Sequence, residues 1–174
     1  MMNKLPKTYG FSLIELIIVV GLIAILTSIA VPTYINKIRE QELKTSAQEL
    51  LTDIRRTSVK SQTSIEGVSW MIQVDAESNE YFVYKCPATA ELVATLSLSS
   101  DNTIFKNAAN IHFAKNSSEI STDLCGSLDV TTPTSGKITV QLKHSSLTDK
   151  CININISESG IISYDETNAI VSCI

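Results

Sequence analysis

Residues Phe11 to Val31 form 21 consecutive positions with a single charge, Glu15. An apolar stretch of that length can cross a bilayer as a helix. A carboxylate five residues into it costs about 2.5–3.5 kcal/mol at mid-membrane on insertion scales, so it calls for a partner and a purpose. Ten residues stand before the stretch, Met1-Met2-Asn3-Lys4-Leu5-Pro6-Lys7-Thr8-Tyr9-Gly10. Lys4 and Lys7 in this short leader favour the cytoplasmic side and send the C-terminal part outward.

An ordinary secretory signal is cut after its apolar region, at a small-residue site. Here Val31 runs into Pro32-Thr33-Tyr34 instead. The block Gly10-Phe11-Ser12-Leu13-Ile14-Glu15 resembles the N-terminus of type IV pilins and type II secretion pseudopilins, the class III signal peptide family. The resemblance implies that a prepilin peptidase cuts between Gly10 and Phe11 and methylates the new amine of Phe11. The apolar segment 11–31 then stays in the mature protein. Other implied partners are further pilin or pseudopilin subunits, an inner-membrane assembly platform and membrane lipid. The implied location is the bacterial inner membrane, crossed once with the C-terminal domain outside the cytoplasm, and then a filament. An uncleaved signal anchor would explain the apolar run and the basic flank, but not Glu15 or the Gly10-Phe11 junction.

Glu15 has two physical readings. The amine made at Phe11 lies about 6 Å up the helix axis and comes closer between staggered neighbours. Alternatively, the carboxylate sits at the membrane interface near a helix N-terminus, where the macrodipole favours it. The family resemblance implies the first, with Glu15 as an assembly residue between subunits.

Pro32 removes a backbone hydrogen bond and bends a helix without having to end it. Beyond it Ile35, Ile38, Leu43, Ala47, Leu50, Leu51 and Ile54 recur in steps that make one apolar stripe. Glu66-Gly67 is a plausible stop. The expectation is one kinked helix over about residues 11–63, close to 80 Å long at the standard rise. Segment 32–66 is its amphipathic continuation.

From residue 67 to 174 the pattern is that of strands. Residues 68–84 read as a hairpin, 137–142 alternate, and Cys151-Ile152-Asn153-Ile154-Asn155-Ile156 alternates strictly. Short candidates fall at 104–105 and 111–113, and Gly160 turns the chain into Ile161–Tyr164. Ala114 to Gly136 reads as a long loop. A helix followed by many strands is an α+β head, with the helix across an antiparallel sheet. The layout after Ile54 is most similar to H-type minor pseudopilins and FimT/FimU-like minor pilins. Ile161, where many members carry a basic residue, departs from that pattern.

All four cysteines follow the apolar segment, which suggests two disulfides in an oxidising compartment. Three pairings are open. The favoured one joins Cys151 to Cys173 and Cys86 to Cys125, because the tail can return near the start of its strand. A loop of about 20 residues closed that way contributes roughly 3 kcal/mol in the chain-entropy view.

The formal charge is −4; without Lys4 and Lys7 it is 12 basic against 18 acidic, or −6. That balance argues against nonspecific nucleic-acid binding. His112 and His144 are isolated, and Asp123, Asp129 and Asp149 read as solvated loop residues. No phosphate loop, nucleophile elbow or metal-ligand spacing appears, so the reading is a structural subunit without cofactor, metal or catalytic site. The alternative is a DNA-binding minor pilin at the tip of an uptake pilus. That role would need a basic, aromatic-lined surface, and Lys115, Lys137, Lys143 and Lys150 are scattered in sequence.

Overall fold

The apolar run and the amphipathic stripe belong to one helix, α1 (Leu13–Gln62), which continues through Pro32. The structure, a computed structural model, describes residues 11–65, 67–148 and 150–164. The chain divides after Lys37 into two units, so the second half of α1 belongs to the same unit as the strands.

In the first unit the side chains of the apolar run are exposed from Phe11 to Val31. Its hydroxyl side chains turn back on their own helix. Thr27 Oγ1 donates to Ile23 O at 2.8 Å, Ser28 Oγ to Ile25 O at 2.7 Å, and Thr33 Oγ1 to Ile29 O at 3.4 Å.

Among the described residues of the second unit eight strands follow: β1 (Ser69–Val74), β2 (Glu80–Cys86), β3 (Glu91–Ser97), β4 (Thr103–Phe105), β5 (Ala109–Phe113), β6 (Lys137–His144), β7 (Cys151–Ser157) and β8 (Ile162–Ser163). They make two four-stranded sheets, ordered β3-β2-β1-β5 and β4-β6-β7-β8, where the sequence suggested one. Every pairing is antiparallel. β1 and β2 form the hairpin read at 68–84, with Ile72 opposite Val83. β3 was not anticipated. It is an edge strand with mostly exposed side chains, so no burial pattern marks it in the sequence.

Leu43, Ala47, Leu50, Leu51 and Ile54 of α1 enter a core shared by both sheets, with Ile72, Val74, Phe105, Ile111, Val140 and Ile154. Ile35 and Ile38, the first members of the expected stripe, remain exposed. The buried face is instead extended by small polar residues, Ser46, Thr57, Ser58 and Ser61. Small side chains let backbone approach the helix, and their hydroxyls then find carbonyls: Ser61 Oγ donates to Phe113 O at 3.1 Å and Ala114 O at 2.8 Å.

The stretch 114–136 is tied down at several points. Asn116 N donates to Ser61 O, one of the last carbonyls of α1, and Ser121 N donates to His112 O. Cys125 is joined to Cys86, at the end of β2. The bridge packs with Met71 in a second small core formed with Leu128 and Val130.

Candidate functional site

The first turn of α1 is built by Ser12 and Glu15. Glu15 N donates to Ser12 Oγ at 3.2 Å, and Leu16 N donates to Ser12 O at 3.3 Å. This is N-capping: the serine oxygen satisfies a first-turn N–H that has no partner within the helix. Glu15 sits in that same turn, where the helix macrodipole favours a negative charge. Ser12 had not been singled out from the sequence. The signal was present, because Ser followed three residues later by Glu, just before an apolar run, is a helix-start pattern.

Phe11 precedes the helix and is 83% exposed, and Gly10 lies outside the described residues. Pro32 lies within α1 and cannot donate to Ser28 O, the carbonyl four residues back. The helix that carries these residues is long and apolar enough to cross a membrane by length and composition.

The remaining sequence candidates lie elsewhere. Cys151 is fully buried and disulfide-bonded, and Cys173 lies outside the described residues. Both histidines are buried and serve the fold. His112 Nδ1 donates to Asp123 O at 2.8 Å, since a carbonyl only accepts, and Nε2 lies 2.8 Å from Ser69 Oγ. Burial holds the His112 imidazole below its usual pKa, although Asp123 acts in the opposite direction. His144 Nδ1 accepts from Ser146 N at 3.1 Å, which leaves the proton on Nε2, 3.0 Å from Glu42 Oε2.

Two of the scattered lysines have carboxylate partners: Lys143 with Glu77 at 2.8 Å, and Lys150 with Glu40. Lys60 lies over the Trp70 ring at 4.8 Å, so that aromatic face is already covered by a cation. Asp149 lies outside the described residues, and among those described no three His, Cys, Asp or Glu side chains gather as metal ligands.

Comparisons with known proteins agree with this geometry. Residues 5–31 match the Prokaryotic N-terminal methylation motif. Over 62 residues the chain is 40% identical to prepilin peptidase-dependent protein D of Escherichia coli (strain K12). That match covers 36% of this chain and 37% of the relative, so it spans little more than a third of the relative's length. The fold is similar to that of the type IV minor pilin FimU of Pseudomonas aeruginosa (strain PAO1) in two crystal forms. In the first, the TM-score is 0.55 at 16% identity, covering 78% of this chain and 97% of FimU. In the second it is 0.51 at 16% identity, covering 76% and 100%. The chain thus carries a prokaryotic N-terminal methylation motif at the start of a long helix and shares the fold of a type IV minor pilin, an N-terminal helix followed by antiparallel strands.

Proposed function

We propose that this chain is a minor pilin or pseudopilin, held in the inner membrane by residues 11–31 and then drawn into a type IV pilus or a type II secretion pseudopilus. The observation that carries the reading is Gly10-Phe11 followed by Glu15 in the first turn of an exposed apolar helix. A prepilin peptidase cuts between Gly10 and Phe11 and methylates Phe11. Removing the leader turns Phe11 into a cationic terminus beside an apolar run. The carboxylate of Glu15 on a neighbouring subunit is the charge that offsets it as both leave water. The name of the Escherichia coli relative, which describes that protein as prepilin peptidase-dependent, supports the processing step. The FimU-like fold supports the minor class. The alternative of a DNA receptor at a pilus tip gains little from the head, where Lys143 and Lys150 are paired with carboxylates.

The experiment is mass spectrometry of protein extracted from membranes of cells with an active peptidase. The expected species begins at methylated Phe11. An intact Met1 or Met2 terminus overturns the processing step. Glu15→Ala is then expected to be cleaved and inserted normally yet to be missing from filaments. Wild-type incorporation of that variant overturns the role given to Glu15.

A further inference from the structure

The helix that carries the apolar run does not begin at Phe11. Phe11 and Ser12 are described but not helical, and α1 starts at Leu13. A side chain fixes that start. Ser12 O accepts from Leu16 N, which opens the helical ladder, and Ser12 Oγ accepts from Glu15 N at 3.2 Å. The hydroxyl thereby supplies the partner that a further turn of helix upstream would otherwise provide for the Glu15 amide. Alanine at position 12 would offer no such oxygen and has the highest helix propensity of any residue. The next residue upstream able to cap is Gly10, since glycine is accepted at that position. A helix capped there would take Phe11 and residue 12 into its first turn.

A peptidase cleft takes its substrate as extended chain, because backbone groups already paired in a helix cannot bond to the cleft. Phe11 and Ser12 are the first two residues downstream of the Gly10–Phe11 bond, and Phe11 is 83% exposed. We propose that Ser12 is a positioning residue for removal of the leader: its cap holds the helix start at Leu13 and leaves Phe11 and Ser12 free to enter the peptidase as extended chain. The inference rests on the reading of Gly10-Phe11 as the cut. Ser12 acts through the conformation of its own chain, so the peptidase does not have to recognise the serine. Loss of the cap lowers the fraction of chain that is competent to bind. A smaller competent fraction raises the apparent dissociation constant and leaves the step after binding unchanged.

The test follows cleavage of the full-length chain in vesicles by membranes that contain the peptidase, with initial rates measured against chain concentration. Ser12→Ala is expected to raise KM about fivefold with kcat unchanged, fivefold being the equilibrium shift of a typical cap. Ser12→Asn and Ser12→Gly keep a usable cap without the hydroxyl, and should hold KM within about twofold of wild type. In detergent micelles the Cα chemical shift of Phe11 should move to helical values in Ser12→Ala and stay in place in Ser12→Asn. Equal KM for wild type and Ser12→Ala overturns the proposal. So does a loss confined to kcat, or Asn and Gly variants as impaired as Ser12→Ala, since either result makes the serine a direct contact of the peptidase. A wild-type chain left uncut overturns the reading of the junction, and this inference with it. Normal cleavage of wild type at Gly10–Phe11 confines any failure to Ser12.

Discussion

The Tyr81 hydroxyl donates to Asp53 Oδ2 across 2.6 Å, and Asp53 Oδ1 accepts from Arg56 at 2.9 Å, so one carboxylate joins β2 to α1 while neutralised from its own helix. The Tyr81 ring is buried and meets Phe105 edge-on, with centroids 6.1 Å apart. Burial is the main reason its phenol is held well above the ordinary pKa, with the bond to Asp53 adding to it.

Tyr81→Phe keeps the ring and deletes the hydrogen bond. Asp53 retains Arg56, so its charge does not become an unpaired buried one. The expected cost is about 1.5–3 kcal/mol, the value of a hydrogen bond to a charged acceptor. Chemical denaturation should show a lower midpoint with an unchanged slope. A midpoint equal to wild type would show that water replaces the phenol at no cost.

His112 sets a pH dependence whose sign follows from burial. Its folded pKa lies below the ordinary 6.5, so the unfolded chain binds the proton more readily. The stabilisation is complete above about pH 6.5 and is lost as pH falls from there toward the folded value. Thermal unfolding between about pH 7.5 and 5 should show this decline. His112→Gln should flatten it, while an unchanged slope would assign the decline to other groups.

Breaking the Cys86–Cys125 bridge should loosen stretch 114–136 more than the sheets. The residues joined are 39 apart, for which the chain-entropy view gives about 4 kcal/mol. The double variant Cys86→Ser/Cys125→Ser should therefore speed hydrogen exchange first at Ser121 and Leu128, whose amides bond to His112 and Cys125. Uniform loss of protection through β6 and β7 would contradict this order.

Gly160 tolerates no side chain. Its φ is +74°, and a Cβ there would lie 1.8 Å from Ser118 O, a backbone atom that cannot step aside cheaply. Gly160→Ala should cost more than the ~1 kcal/mol of a left-handed alanine alone, because the turn after β7 and the 114–120 stretch must separate. Gly136→Ala has φ +75° with open space around it. It serves as the control that isolates backbone strain from collision.

Parts of this architecture can be read from the chain because their residues carry a period. The run 11–31 needs only its length and lack of charge, and Cys151–Ile156 alternates because one face of β7 is buried. Gly160 marked its own turn. What could not be read depends on partners distant in sequence. Ser46, Thr57, Ser58 and Ser61 look like a solvated face until strand backbone is placed against them. Glu91–Ser97 has no buried face to betray it. The stretch 114–136 looks loose because its restraints, Ser61, His112 and Cys86, lie outside it. At the start of α1, the cap formed by Ser12 was legible by its spacing to Glu15 and was overshadowed by the charge.

The inward-turned hydroxyls of Thr27, Ser28 and Thr33 have a consequence for how this helix can travel. Each donates to a carbonyl of its own helix, so none has to exchange a partner when acyl chains on one side are replaced by another protein. Between Leu16 and Val31 the hydroxyl groups and, apart from Ser28 O, the backbone are satisfied within the helix, which presents an apolar surface that asks almost no hydrogen bond of its surroundings. The carboxylate of the run, Glu15 in the first turn, is the group there whose free energy changes most with the polarity of what surrounds it.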